Sequence, residues 1–84
     1  GINSAKADDS ALTLYPTAIT DYITINSEEA IQSVNLYGIS GQLAGTYNMA
    51  GENQINLSAL QPGSYIVSVK LINGKTVNRQ VIKL

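Results

Sequence analysis

The side chains that could do chemistry in this sequence are few, and the residue types best suited to it are missing. The chain contains no histidine and no cysteine. It therefore lacks the side chain that most often acts as a base near neutral pH, the thiolate nucleophile and the commonest transition-metal ligands. The carboxylate side chains that remain are Asp8, Asp9, Asp21, Glu28, Glu29 and Glu52.

These carboxylates and the many hydroxyls do not form a recognisable catalytic or metal site. Asp8–Asp9 and Glu28–Glu29 are adjacent pairs, and adjacent residues of a strand point to opposite faces. Neither pair lies in the oxygen-rich loop that calcium binding requires, so we interpret both as solvated charges. The hydroxyls have no base partner that would activate a nucleophile. We therefore predict no catalytic residue, no metal and no cofactor, and we do not expect an enzyme.

Charge and hydropathy narrow the class of partner. Only 13% of the 84 residues are charged, and the formal net charge is −1. Nucleic-acid binding is not expected because the sequence has no basic stripe. The sequence contains no run of 18 apolar residues, so no membrane-spanning helix is predicted. Nothing indicates a small-molecule substrate, and the length fits a single domain.

The pattern of apolar residues predicts β-strands after a polar leader. Residues Gly1–Ala11 are small and polar, and we interpret them as a flexible leader or linker. From Leu12 to Leu84, short runs rich in β-branched and aromatic residues alternate with turn signals, and Thr17–Asp21 is expected to be a connection. The predicted strands are Leu12–Tyr15, Tyr22–Ile25, Ile31–Tyr37, Gln42–Tyr47, Gln54–Leu57, Ser64–Ile72 and Lys75–Leu84.

Alternation within the longer runs predicts which side chains face the core. Val34 and Leu36 fall on one face of their strand, and Tyr65–Leu71 shows the same period of two. Asn73–Gly74 predicts a two-residue type I′ hairpin turn. The register that follows pairs Ile72 with Lys75, Val67 with Gln80, Ile66 with Val81 and Tyr65 with Ile82. Both faces of this hairpin then carry apolar residues, which indicates a central position or a bulge.

Together these features predict an all-β fold, an immunoglobulin-like β-sandwich of about seven antiparallel strands. A small barrel is the less favoured alternative. The Cys-Trp-Cys signature of immunoglobulin domains is absent, so the predicted likeness is one of architecture only.

Several short strings in the sequence, each common in β domains, are specific when they occur in one order. They are Leu14–Pro16, Asp21–Ile25, Val34–Leu43, Ile55–Leu60, Leu60–Val67, Gly74–Lys75 and Val81–Leu84. In this order they resemble the C-terminal sorting domain family of the type IX secretion system, also called the Por secretion system. The resemblance covers about Leu12–Leu84. The sequence departs from the family pattern at Pro16–Ala18, at Gly38 and at Leu84.

The resemblance implies a secretion signal at the C-terminus of a cargo protein of Bacteroidetes-type bacteria. It implies that Leu12–Leu84 directs the cargo from the periplasm through the outer-membrane translocon, to the cell surface or the extracellular space. It also implies that a sortase-like peptidase then removes the domain by a cut within Gly1–Ala11. Two alternatives remain: an accessory immunoglobulin-like binding or spacer module of an extracellular protein, and a domain retained by a component of the secretion machinery.

The residues that could be recognised by the machinery all have an ordinary structural explanation as well. The turn residues suit tight turns, and cations such as Arg79 on the last strand discourage unwanted strand pairing. The functional alternative makes the last strand a docking edge, and the resemblance favours it. We expect a monomer, although an open edge would also permit a strand-swapped dimer. The candidate recognition residues are Gly41, Gln42, Leu60, Pro62, Gly63, Tyr65, Lys75, Arg79, Val81, Ile82, Lys83 and Leu84.

Overall fold

The structure, a computed structural model, describes residues 12–49 and 51–84. Every regular element in these residues is a β-strand, so the predicted all-β fold is confirmed. The strands are β1 (Leu12–Tyr15), β2 (Ala18–Ile19), β3 (Tyr22–Ser27), β4 (Ile31–Gly38), β5 (Leu43–Asn48), β6 (Gln54–Asn56), β7 (Gly63–Leu71) and β8 (Thr76–Lys83). The predicted leader Gly1–Ala11 lies outside the described residues.

The strands form two sheets that share one core. The smaller sheet has the order β1-β3-β6, and the larger has the order β2-β8-β7-β4-β5. Fourteen buried apolar side chains from both sheets and their loops make a single hydrophobic cluster. They are Leu12, Ile19, Ile23, Ile25, Val34, Leu36, Met49, Ile55, Leu57, Val67, Val69, Leu71, Val77 and Val81.

Alternation in the two central strands is confirmed. Val34 and Leu36 are each 1% exposed on the inner face of β4, and Ser33 and Asn35 are half-buried on the outer face. In β7 the buried side chains recur at every second residue up to Leu71. The period of two therefore assigns an inner and an outer face to the larger sheet.

The connection predicted over residues 17–21 contains a short strand that the sequence prediction missed. Ala18 pairs with Ile82 and Ile19 with Lys83, both in parallel register. The side chain of Ile19 is fully buried, and this burial holds the segment against the end of β8. The fold therefore has eight strands instead of about seven, and the expectation that all are antiparallel is wrong for this one pair.

The register predicted for the β7–β8 hairpin is wrong by one residue. Val67 lies opposite Arg79, and Tyr65 lies opposite Val81. A shift of one residue reverses the face of every partner, so the error matters for the core. In the observed register buried Val69 lies opposite buried Val77, whereas the predicted register pairs buried Val67 with an exposed residue.

The cause of the shift is the length of the hairpin loop. The Gly74 amide donates to the Leu71 carbonyl at 2.9 Å, and the Leu71 amide donates to the Lys75 carbonyl at 2.8 Å. Three residues, Ile72–Gly74, therefore form the loop, and Gly74 has a φ of 93°. A turn followed by a glycine with positive φ is the usual three-residue hairpin, so the predicted two-residue type I′ turn is wrong. The extra loop residue brings Val69 and Val77 together on the inner face, whereas Ile66 and Ile82 remain on the outer face of a hairpin that lies centrally, between β2 and β4.

The chain enters and leaves the fold at opposite ends of the strands. At the end where β1 begins, Leu12 pairs with Ser27, and the loop residues 28–30, 49, 51–53 and 72–75 lie beside it. We call this the entry end. The other end, which we call the far end, carries the loops at residues 16–17, 20–21, 39–42 and 57–62, together with Leu84. The molecule measures 40 × 26 × 21 Å along its principal axes.

Candidate recognition surface

The candidate residues of the Leu60–Tyr65 string form a corner at the far end, where the chain enters β7. The Tyr65 hydroxyl donates to the main-chain oxygen of Gln61 at 2.7 Å. Pro62 and Gly63 make the turn between them, and Gly63 has a φ of 148°, a conformation that favours glycine. Leu60 is half-buried and packs against the core. The hydrogen bond and the packing of Leu60 together fix the path of this corner.

The turn between β4 and β5 lies beside this corner. Gly38 is the cross-strand partner of Tyr65, and its amide donates to the Gln42 carbonyl at 2.8 Å. Gly41 donates back to the Gly38 carbonyl at 2.9 Å and has a φ of 94°. The Ser40 hydroxyl donates to the side-chain oxygen of Gln42 at 2.8 Å. The turn is closed by its own hydrogen bonds, and its residues are exposed to solvent.

The last residues of β8 divide between the two faces of the larger sheet. Val81 is 3% exposed, and Lys83 is 8% exposed, the one buried charged residue among those described. The Lys83 ammonium donates to the main-chain oxygen of Leu84 at 3.2 Å. The stem of Lys83 therefore packs inward while its charged end reaches the chain terminus. Ile82 and Leu84 point the other way and are exposed.

The edge of β8 is open along only part of its length. The Ile82 amide donates to the Thr17 carbonyl, and the Leu84 amide donates to the Ile19 carbonyl, each at 2.8 Å. The expected open edge is therefore wrong at the end of the last strand, because β2 covers it there. Within residues 12–49 and 51–84, no strand lies on that side of Thr76–Gln80.

Two candidate residues lie away from the far end. Lys75 sits at the hairpin loop of the entry end, where its amide donates to the Asn73 side chain at 2.9 Å. Arg79 lies in the middle of β8 and is half-buried, and its guanidinium donates to the Asn78 carbonyl at 3.0 Å. The structure brings the other ten candidates together at the far end. They are Gly41, Gln42, Leu60, Pro62, Gly63, Tyr65, Val81, Ile82, Lys83 and Leu84.

Sequence reasoning passed over several exposed apolar side chains at the same end. Ile39 is 70% exposed in the β4–β5 turn, Leu43 is 58% exposed at the start of β5, and Tyr22 is 54% exposed at the start of β3. Ile39 carried a signal, because a large apolar residue is unusual inside a glycine-bracketed turn. For Leu43 the outward orientation depends on a bulge in the β4–β5 pairing, which the sequence pattern does not indicate.

Two clefts formed by the described residues are open to solvent. One of about 330 Å³ lies at the entry end between the loops that carry Glu29 and Glu52. Another of about 300 Å³ lies at the far end beside Ile82 and is lined by Thr17 and Ser64. Among the described residues, no group of three or more carboxylates could hold a metal ion. The same residues contain no helix that could span a membrane.

The sequence matches a model of a known protein family over most of its length. The model described as the secretion system C-terminal sorting domain matches residues 13–83. The chain belongs to this family. The sorting domain is thus a C-terminal signal for type IX secretion, and it takes its cargo across the outer membrane towards the cell surface or the extracellular space. A comparison with curated proteins finds no significant match.

The family match spans all eight strands described above, from the second residue of β1 to the last residue of β8. The sorting domain is therefore a complete pair of sheets and not an isolated terminal peptide. Its far end gathers residues from both halves of the chain, since the β4–β5 turn and the end of β8 meet there.

Proposed function

We propose that the type IX machinery recognises this sorting domain as a folded β module, through side chains at the far end. The observation that carries this proposal is the convergence of ten candidate residues there, from three separate parts of the sequence. A linear signal would need none of this convergence. The hydrogen bonds of the corner and of the β4–β5 turn keep the surface in one shape before any partner arrives.

The partners that we propose are the outer-membrane translocon and a sortase-like peptidase. The domain waits in the periplasm, passes through the translocon and reaches the surface with its cargo. The peptidase then cuts within Gly1–Ala11 and supplies the nucleophile for that step, because the chain has no cysteine of its own. In this proposal the domain is a ligand for both partners and catalyses nothing.

We further propose that the two sheets pack as an immunoglobulin-like β-sandwich. Two features support this. First, buried side chains from both sheets form one hydrophobic core. Second, the Tyr65 hydroxyl bonds back to the Gln61 carbonyl near the start of β7, the geometry of the tyrosine corner in such folds.

A fusion experiment tests the sorting function of this chain. Residues Gly1–Leu84 are attached to the C-terminus of a fluorescent protein that is directed to the periplasm, in strains with and without an intact type IX system. We expect fluorescence at the surface or in the medium only in the intact strain. Fluorescence that stays in the periplasm of both strains, with the domain folded, would favour an accessory module or a retained component of the machinery.

A strain without the sortase-like peptidase tests the cut. Mass spectrometry of the exported fusion gives the last residue of the released reporter. We expect that residue to lie within Gly1–Ala11 in the intact strain, and we expect the full-length fusion in the strain without the peptidase. A cut inside β1–β8, or the same cut in both strains, would contradict this part of the proposal.

A further inference from the structure

The outer face of the larger sheet carries an apolar stripe that crosses four strands at the far end. Tyr37 in β4 is the cross-strand partner of Leu43 in β5 and of Ile66 in β7. Ile66 lies opposite Gln80, two residues before Ile82, so Ile66 and Ile82 are diagonal neighbours on the same face. We call Leu43, Tyr37, Ile66 and Ile82, together with Ile39 in the adjoining turn, the far-end stripe.

The side chains of the stripe point away from the core. Leu36, Val67 and Val81 are buried on the inner face, and the residue next to each of them in the chain faces outward. Ile82 is 45% exposed, and Ile39, in the turn that follows β4, is 70% exposed. The stripe thus lies at one edge of a sheet face whose remaining residues are mainly polar, and exposed Gln80 lies beside Ile66 where the stripe passes to Ile82.

The surroundings of the stripe are uncharged. The next row of the outer face contains Thr46, Asn35, Ser68 and Asn78, which pair across the four strands. The first cation on this face, Lys70, lies one row farther towards the entry end. Anionic lipid head groups and nucleic acid bind cationic surfaces, so neither is a suitable partner for the uncharged stripe. An uncharged, apolar protein surface does suit it.

Exposed apolar side chains are concentrated at this end of the molecule. Seven large ones are exposed in the described residues, and only Ile72, in the β7–β8 loop, lies at the entry end. Five lie at the far end, namely Tyr22, Ile39, Leu43, Ile82 and Leu84, whereas Tyr15 lies opposite Thr24 and its hydroxyl accepts a hydrogen bond from the Asn26 side chain. The far end is also the end away from Leu12, where the polypeptide joins its upstream residues, so it faces away from that junction.

We propose that the far-end stripe is the docking surface through which the sorting domain contacts an uncharged, apolar surface of a protein of the outer-membrane export machinery. This inference rests on the proposed function and names the residues that make the contact. Five partly exposed side chains cover less than the roughly 800 Å² per partner of a standard stable interface. The contact is therefore weak and reversible, which suits a signal that must be released, and it is too small for a stable dimer of the domain.

The test compares exposed isoleucines at the two ends of the full-length fusion. Ile39→Ser removes an exposed side chain from the far-end stripe, and the double variant Ile39→Ser with Leu43→Ser removes two. Ile72→Ser is the matched control, because Ile72 is 64% exposed in a loop at the entry end. Circular dichroism and the melting temperature of each purified variant show whether the fold is kept, as expected for exposed positions.

We expect system-dependent export of the double variant to fall roughly tenfold, about the effect of one buried apolar side chain on a binding constant. We expect export of the Ile39→Ser single variant to fall by less, and export of Ile72→Ser to equal that of the wild type. Equal export of all folded variants, or an equal loss in the Ile72 control, would overturn the docking surface and leave the sorting function intact. A wild-type fusion that is not exported would overturn both.

A second measurement identifies the occupant. Sedimentation of the purified fusion at the concentrations of the export assay is expected to give monomers for the wild type and for the double variant. A wild-type dimer that the double variant converts to monomers would show that a second copy occupies the stripe, and this would overturn the proposed partner.

Discussion

Tyr65 is a candidate recognition residue whose side chain has a clear structural role. Its ring is half-buried against the core, and its hydroxyl bridges the Pro62–Gly63 turn to the Gln61 carbonyl. The corner that it holds is part of the far end, where the candidate residues meet. A residue that looks like a recognition motif in the sequence therefore acts first by fixing the path of the chain.

Replacing Tyr65 by phenylalanine removes only the hydroxyl that closes this corner. We expect Tyr65→Phe to lower the free energy of unfolding by about 1 kcal/mol, the usual net contribution of one hydrogen bond. Urea denaturation measures the change, and Tyr22→Phe at an exposed position is the control with little effect. If both variants lost the same stability, the hydrogen bond to Gln61 would not be a source of stability.

Lys83 is a second residue whose role follows from its burial. Its stem is packed on the inner face next to Ile19, and only the ammonium reaches the Leu84 oxygen. We expect Lys83→Met, which keeps the stem, to change the unfolding free energy by less than about 0.5 kcal/mol. Lys83→Asp places a short charge at the same buried position, and we expect it to cost about 2 kcal/mol or more. Equal costs in thermal denaturation would contradict this interpretation.

At the scale of elements, β2 and the β7–β8 loop determine which residues of β8 are covered and which of its side chains face outward. β2 covers the last residues of β8, and among the described residues no strand pairs with Thr76–Gln80 on that side. The three-residue loop sets the register that places Ile82 on the outer face and Val81 on the inner face. A change of one residue in this loop would move the wrong side chains to the far-end stripe.

The loop register depends on Gly74, so this glycine is the place to test it. Because Gly74 has a φ of 93°, we expect Gly74→Ala to lower the unfolding free energy by about 1 kcal/mol. Gly38→Ala is the matched control, since Gly38 lacks a positive φ and an added Cβ would meet only the Gln42 side chain at 3.5 Å. A Gly74 variant as stable as the control in urea would show that the loop has a different conformation.

The sequence pattern predicted these elements where the signal is local and missed them where it is not. The predicted and observed strand bounds agree to within two residues for every strand except β2. The reason is that alternation and turn signals involve residues only a few positions apart in the sequence. β2 has two residues and is defined by its partner Ile82, more than sixty positions away. Asn73–Gly74 fits a two-residue and a three-residue loop equally well, so the register needed the tertiary structure.

For the candidate site, the sequence supplied the residues but not their arrangement. The strings around Gly41 and Pro62 were found by their turn chemistry, yet they become neighbours only through the pairing of β4 with β7. The exposure of Ile39 and Leu43 also depends on the tertiary structure, because Ile39 lies in the turn after β4 and Leu43 faces outward through the bulge within the β4–β5 pairing. Exposure is a property of the packed sheets, which explains why these two residues were missed.

At the scale of the whole molecule, the domain has two unlike ends. The entry end joins the upstream residues at Leu12 and carries Glu28, Glu29 and Glu52 in its loops. The far end carries five large exposed apolar side chains. An elongated body of 40 × 26 × 21 Å separates the two. This polarity suits a sorting signal, because the proposed docking surface faces away from the end at which Leu12 joins the upstream residues.

The central claim is that the machinery recognises the folded domain, and one measurement tests it most directly. It is the surface fraction of the fluorescent fusion in the intact type IX strain, for the wild type and for Val69→Asp. This variant places a charge at a fully buried position and should unfold the domain. With reporter levels matched, we predict export of the wild type and periplasmic retention of the variant. Export of an unfolded Val69→Asp fusion at the wild-type level would contradict the account and show that a linear signal is enough.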